Sequence, residues 1–223
     1  MAFNKNLNKY KKLALKPKEF FRSIASEDVA PAIKFYLYAV IIFSVVIIIL
    51  SFFTSSFSPA SIIKGIIGII SNVLISFLLV LIFSALVYAG TLIYNKGKAE
   101  FSSIFRILLY SLTITLFYSA ISAILASGFE AYHPINPLIS QINKGDPSIV
   151  LQEIFSDKIH MFRILLISLI SIISIIHLLA LATIGISESH KLKRWRSFLG
   201  IITIPIIIML FIISAFVLAI SNI

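Results

Sequence analysis

Five long apolar stretches limit what this chain can fold into. A helix needs about 20 mostly apolar residues to cross roughly 30 Å of hydrocarbon. Five segments meet that requirement: residues 35–53, 70–94, 104–127, 161–186 and 198–220. None of them alternates polar and apolar residues with the period of two that a membrane barrel needs. The sequence therefore predicts an all-α fold, a bundle of five transmembrane helices with short interfacial helices.

The composition points to the same class of protein. Of the 223 residues, 59% are hydrophobic and 13% are charged, whereas soluble domains average about 45–50% and about 25%. A protein of this size has too much surface to hide such an excess, so lipid is the expected solvent. The absence of cysteine excludes disulfides and thiolate metal sites. No cleavable signal peptide is expected, because residues 1–34 are basic and polar.

The chain divides into a basic amino-terminal segment, residues 1–34, and a transmembrane domain, residues 35–223. The apolar run over residues 62–94 would be about 50 Å long as one helix, too long for an upright crossing. We expect residues 59–69 to form a separate interfacial helix before the second span. A single, strongly tilted helix is the alternative.

The distribution of basic residues predicts the orientation. With the amino terminus inside, 15 of the 19 Lys and Arg residues fall on the cytoplasmic side, as the positive-inside rule requires. This places the protein in the cell membrane with a cytoplasmic amino terminus and an extracytoplasmic carboxyl terminus. The stretch SESHKLKRWRS, residues 187–197, becomes an inner loop. It has one Trp and no recognition fold, so no nucleic-acid partner is expected.

Two stretches have an amphipathic pattern. In PKEFFRSIASED, residues 17–28, one helical face carries Phe20, Phe21 and Ile24, which is typical of a helix lying in the cytoplasmic interface. A second surface helix is predicted over residues 146–159. The expected partners are the bilayer and its anionic headgroups. The candidate lipid-surface residues are Phe20, Phe21, Ile24, Lys12, Lys16, Lys18, Arg22, Lys193, Arg194, Trp195 and Arg196.

His177 is the one ionisable side chain deep in a predicted span. It either packs as a neutral, hydrogen-bonded group or forms an intramembrane polar site with Ser174 and Tyr110. No carboxylate lies at that depth to form a proton relay. The sequence has no metal-ligand spacing, nucleophile motif or phosphate-binding loop. We therefore predict no catalytic, metal-binding or cofactor-binding residues, and no enzyme activity.

Three stretches carry a family resemblance: LKPKEFFRSI (residues 15–24), NKGKAEFSSIFRILLYS (95–111) and IGISESHKLKRWRSFLGI (184–201). Together with the five spans, they resemble the Yip family, the Ypt/Rab-interacting membrane proteins, in its short prokaryotic form. The resemblance covers about residues 15–220. It implies a multi-pass membrane protein with an organising or trafficking-like role and no catalytic residues.

In eukaryotic members, a long amino-terminal region goes with small-GTPase binding. Here that region is reduced to residues 1–34, which argues against a GTPase partner. The leading interpretation is a non-catalytic scaffold that shapes membranes or holds partners, either other membrane proteins or copies of itself. A small membrane transporter or channel subunit is the alternative, although coupled transporters place charged or unwound elements near the midplane.

Overall fold

A computed structural model describes residues 2–54, 59–132 and 156–221. Within these residues every regular element is an α-helix, which confirms the all-α fold. The helices are α1 (Ala2–Leu15), α2 (Pro17–Ser23), α3 (Val29–Thr54), α4 (Pro59–Tyr94), α5 (Phe101–Tyr132), α6 (Lys158–His190) and α7 (Arg194–Ser221).

The five long helices, α3 to α7, are each long and apolar enough to cross a membrane, so the five predicted spans are confirmed. Their apolar ranges are Val29–Leu50, Gly65–Tyr94, Phe101–Ala131, Lys158–His190 and Arg194–Ser214. Most extend beyond the predicted ends. Adding a residue to an existing helix costs little, so the helices continue into flanking polar residues once the apolar centre has formed.

The predicted break before residue 70 is absent, and the expectation of a separate interfacial helix over residues 59–69 is wrong. Helix α4 runs without interruption from Pro59 to Tyr94. Gly65 and Gly68 do not end it, because a glycine in a helix costs only about 1 kcal/mol relative to alanine. Breaking the helix in lipid would leave backbone groups unpaired, at several kcal/mol for each group.

The second predicted surface helix, residues 146–159, lies largely outside the described residues. Its last residues join the start of α6. There the Asp157 carboxylate accepts hydrogen bonds from the backbone N–H of Ile159 at 2.7 Å and of His160 at 3.2 Å. These are the donors that a helix start leaves without intrahelical partners, so Asp157 caps α6.

The first of two compact units comprises Met1–Tyr38, Leu74–Ile114 and His177–Ile223. It gathers the starts of α3 and α5, the ends of α4 and α6 and the whole of α7, together with α1 and α2. Residues 103–111 of α5 are buried without a break. A helix segment buried on all sides is the centre of its unit. Helix α5 therefore organises this part of the protein.

Helices α4 and α7 touch through their backbones in this first unit. A Cβ atom on Gly90 would collide with the Gly200 carbonyl oxygen, and one on Gly200 would lie 3.1 Å from the Thr91 Cα. Small residues permit this close approach of membrane helices. The same two helices are also joined by a 3.0 Å hydrogen bond between the hydroxyls of Tyr94 and Thr203.

The second unit comprises Ala39–Val73 and Thr115–Ile176. Polar side-chain pairs connect helices among the described residues of this unit. Asn72 donates from Nδ2 to the Ser44 hydroxyl at 2.8 Å, joining α4 to α3. Arg163 donates from Nη1 to the Glu130 carboxylate at 2.9 Å, joining α6 to α5. Such pairs hold membrane helices together, because an unpaired polar group in hydrocarbon is costly.

The Gly90–Gly200 crossing gives a direct test of the packing. We expect Gly90→Ala to lower the free energy of unfolding by about 1–3 kcal/mol, since the added methyl group meets a backbone carbonyl that has no room to move. Gly68→Ala in the same helix is the matched control, because nothing lies within 4 Å of its new Cβ. That control should leave stability unchanged or raise it by up to about 1 kcal/mol. Unfolding by dodecyl sulfate in mixed micelles measures both variants, and equal effects would contradict the assigned crossing.

Candidate functional site

The amino-terminal part of the chain folds back onto the spanning helices of the first unit. We refer to residues 9–28 as the docked segment. Its helix α2 begins at Pro17, which suits the first helical position because no backbone donor is needed there. The helix ends at Ser23, whose hydroxyl donates to the Phe20 carbonyl at 2.7 Å. A turn then leads to α3.

The apolar face of α2 is covered by protein. Phe20, Phe21 and Ile24 are each at most 5% exposed. The Phe20 ring meets the Tyr110 ring of α5 edge to face at 5.0 Å, and Phe21 packs beside Gly185 of α6, where a Cβ would lie 3.0 Å from Phe21 Cε1. The expected lipid contact of these three side chains does not hold in this structure. Gly185 leaves space for an aromatic ring, so the protein itself provides the apolar surroundings.

A buried arginine fixes the backbone that follows α2. Arg106, on α5, donates from Nη2 to the Ala25 carbonyl at 2.8 Å and from Nη1 to the Glu27 carbonyl. Carbonyls at and beyond the end of a helix lack intrahelical donors and need other partners. The planar guanidinium can supply several donors at once in a fixed geometry. Arg106 therefore ties the turn after α2 to the central helix.

The side chain of Glu27 closes a second set of contacts. Its Oε1 accepts a hydrogen bond from Lys9 Nζ at 2.7 Å, and its Oε2 accepts one from the Tyr110 hydroxyl at 2.8 Å. Lys9 also donates to the Tyr110 hydroxyl at 3.1 Å and lies 5.4 Å from the centre of its ring. Removing Lys9 or Glu27 would leave the other charge partly buried without its ion-pair partner, which is destabilising.

Glu188, in the last turn of α6, links the basic side of α2 to that helix. Its carboxylate lies 2.6 Å from Arg22 Nε and 3.8 Å from Lys18 Nζ. Both cations are largely solvent-exposed, at 63% and 51% of their side chains. Exposed ion pairs contribute only about 0–1 kcal/mol. These contacts therefore orient α2 on α6 but add little to the stability of the docked segment.

The loop between α6 and α7 folds back onto the end of α6. Leu192 donates its N–H to the Ser187 carbonyl at 3.1 Å, and the Ser187 hydroxyl donates to the Leu192 carbonyl at 2.7 Å. Lys191 has a φ of 52° at the reversal. Trp195 is 55% exposed, and the Arg196 guanidinium lies 5.3 Å from its ring centre.

The remaining predicted residues fall into two groups. Lys12, Lys16, Lys193 and Arg194 are exposed cations, as a lipid-surface role requires, and their contact with lipid stays a prediction. For the intramembrane site, the structure gives Tyr110 the partners Glu27 and Lys9 on the docked segment. Ser174 and His177 lie one turn apart on α6, where Ser174 is buried, and their shared role also stays a prediction.

Three residues that hold the docked segment were missed from the sequence: Arg106, Glu27 and Glu188. Arg106 is one of the 15 cations that the positive-inside count assigns to the cytoplasmic side, although it lies inside the third predicted span. That position was the available signal, because an arginine within an apolar helix needs a partner. The two acids gave no comparable signal, since nothing in their spacing identifies the cations that they bind.

This fold and this site define a polytopic helical membrane protein whose amino-terminal segment packs on the ends of its own spanning helices. The family model of the Yip1 domain matches residues 11–216, nearly the whole chain, and the chain belongs to this family. The match includes most of the docked segment as well as the five spanning helices. No curated protein and no solved structure shows a significant match to the chain.

We expect Arg106→Gln to loosen the docked segment. The carbonyls of Ala25 and Glu27 would lose their donors, and a buried group left unsatisfied costs about 1–3 kcal/mol. Trypsin should then cleave after Lys18 and Arg22 about 5- to 100-fold faster, if opening of the segment precedes cleavage.

Lys98→Gln is the control for this variant. It removes the same charge from an exposed position in the α4–α5 loop. Its cleavage rates should match those of the parent in the same lipid nanodiscs. Unchanged cleavage in Arg106→Gln would show that the guanidinium does not hold the segment.

Proposed function

We propose that this chain is a non-catalytic membrane scaffold that presents the docked segment at the cytoplasmic surface, where other membrane proteins or further copies of the chain assemble on it. The supporting observation is the anchoring of this segment by Arg106, which donates to two of its backbone carbonyls. A surface held in one shape loses less conformational freedom on binding than a flexible tail, and so it binds partners more readily.

The polar groups of the docked segment support a structural role over a catalytic one. Both carboxylate oxygens of Glu27 accept hydrogen bonds from within the protein, and Arg106 is buried against backbone carbonyls. A general acid or base must reach its substrate, and these side chains already bind one another. Helices α4 and α6 also run unbroken, whereas coupled transporters use discontinuous helices at the substrate site.

The proposed orientation places the amino-terminal segment and the loops around Lys98 and Lys193 on the cytoplasmic side. All three regions belong to the first unit. Together with Arg106 near the start of α5, these regions hold 15 of the 19 Lys and Arg residues of the chain. The positive-inside rule then favours a cytoplasmic amino terminus and an extracytoplasmic carboxyl terminus.

Labelling of introduced cysteines tests this orientation, because the parent chain has none. A membrane-impermeant maleimide added to intact cells should leave Lys98→Cys and Lys193→Cys unlabelled and should label Gly145→Cys. All three should react once the membrane is permeabilised. Labelling of Lys98→Cys or Lys193→Cys in intact cells would contradict the proposed sidedness.

Site-specific photo-crosslinking in native membranes tests the scaffold itself. A photoreactive residue at Ser26, which is exposed on the docked segment, should give discrete protein adducts. Arg106→Gln should reduce them at equal expression, because the surface loses its fixed shape. A photoreactive residue at Leu210, an exposed apolar position of α7, controls for random encounters in the bilayer. The absence of discrete adducts at Ser26, or equal patterns at both positions, would overturn the proposal.

A further inference from the structure

Two basic stretches that are distant in sequence meet at the end of α6. Arg22 and Lys18 both bind the carboxylate of Glu188, although Arg22 and Glu188 are 166 residues apart. The chain around Glu188 is also fixed, because two hydrogen bonds join Leu192 to Ser187. The cations of α2 therefore contact the end of α6, from which the α6–α7 loop with its own cations continues.

We call the joined surface the basic patch. It contains six cations, the carboxylate of Glu188 and the exposed indole of Trp195. The cations are Lys18, Arg22, Lys191, Lys193, Arg194 and Arg196. All but Arg196, which is half-buried, are exposed. Glu188 contacts two of these cations, and Glu19 of α2 lies 3.7 Å from Lys16, so the six cations outnumber these two carboxylates and the patch keeps an excess of positive charge.

The position of the basic patch indicates its partner. The span Lys158–His190 ends beside it, and the span Arg194–Ser214 begins within it. Residues at the ends of spanning helices lie at the level of the lipid headgroups, where tryptophan is also enriched. Headgroups therefore reach this surface without any further docking step, unlike a soluble macromolecule.

We propose that the basic patch binds the headgroups of several anionic phospholipids and concentrates these lipids around α6 and α7. Lysine and arginine donate charge-assisted hydrogen bonds to phosphate oxygens, and an anionic leaflet attracts each nearby cation. Glu188 holds Arg22 and Lys18 in position while leaving them exposed. The inference deepens the proposed function, because it rests on that orientation and names the lipid class that the scaffold's surface binds.

Trp195 provides the measurement, since it is the one tryptophan in the chain. The full chain is reconstituted in vesicles of phosphatidylcholine and phosphatidylglycerol, with bromine near the top of the acyl chains of one lipid or the other. Bromine quenches indole fluorescence only at short range. We expect brominated phosphatidylglycerol to quench Trp195 more strongly than its mole fraction predicts. Quenching in proportion to mole fraction would overturn the proposal.

Paired substitutions test whether both halves of the basic patch contribute. We expect the Lys193→Gln/Arg194→Gln pair and the Lys18→Gln/Arg22→Gln pair each to lower the preference for phosphatidylglycerol, by about five-fold for each cation removed. Trypsin cleavage patterns that match those of the parent at sites not substituted confirm that the variants remain folded. A loss confined to the Lys193→Gln/Arg194→Gln pair would overturn the composite patch.

Lys96→Gln/Lys98→Gln is the charge-matched control, because it removes two cations from the neighbouring α4–α5 loop. Its lipid preference should equal that of the parent. A loss equal to that of the two patch variants would mean that charge alone attracts the lipid.

Inorganic phosphate, compared with chloride at equal ionic strength, should not abolish the preference for phosphatidylglycerol. If it does, the patch is a site for free phosphate and the lipid proposal fails. No partner protein enters this measurement, so it can succeed or fail independently of the crosslinking test.

Discussion

The contact between Arg106 and the carbonyls of Ala25 and Glu27 determines how the first unit is built. Burying a guanidinium among apolar side chains carries a desolvation cost of several kcal/mol, which is offset only where its donors find good acceptors. The turn after α2 supplies those acceptors, since its carbonyls lack helical partners. Two donors of the Arg106 guanidinium and two carbonyls of the turn after α2 therefore satisfy each other.

The magnitudes of the contacts separate those that stabilise from those that orient. Burying an aromatic side chain contributes about 1.5–3 kcal/mol, so Phe20 and Phe21 together exceed the exposed pairs of Arg22 and Lys18 with Glu188, at about 0–1 kcal/mol each. The rings and Arg106 hold the docked segment on α5 and α6. The ion pairs at Glu188 determine where its cations point. Because those pairs are weak and exposed, the same cations remain available to lipid phosphates.

The spans could be predicted from sequence, because hydrocarbon accepts few alternatives to a long apolar helix. The start of the second span could not be predicted. Gly65 and Gly68 suggest the end of a helix, but in lipid an interrupted helix costs more free energy than two glycines within a continuous one. The helix face of Phe20, Phe21 and Ile24 was identified correctly as apolar, but the sequence did not show that protein, and not lipid, packs against it. The amphipathic pattern gives the polarity of the surroundings, and a lipid tail is as apolar as Gly185 and its neighbours.

The contacts that define the site were beyond sequence reasoning for a different reason. Arg106 binds main-chain carbonyls roughly 80 residues away, and every residue type carries a carbonyl, so no side-chain pattern reports the pairing. Arg22 and Glu188 are ordinary charges until the fold places them together. The count of Lys and Arg along the chain predicts the sidedness, whereas the contact of Arg22 and Lys18 with Glu188 required the structure.

Helix α2 has only seven residues, and isolated helices of that length do not persist in water. Its helical shape, and with it the placement of Lys18 and Arg22, therefore depends on docking against α5 and α6. A ligand that binds the assembled basic patch and not its separated halves must stabilise the docked state by mass action. Coupling of this kind is reciprocal. Anionic lipid at the patch would hold the docked segment in place, and Arg106, although it contacts no lipid itself, would set how tightly the patch binds that lipid.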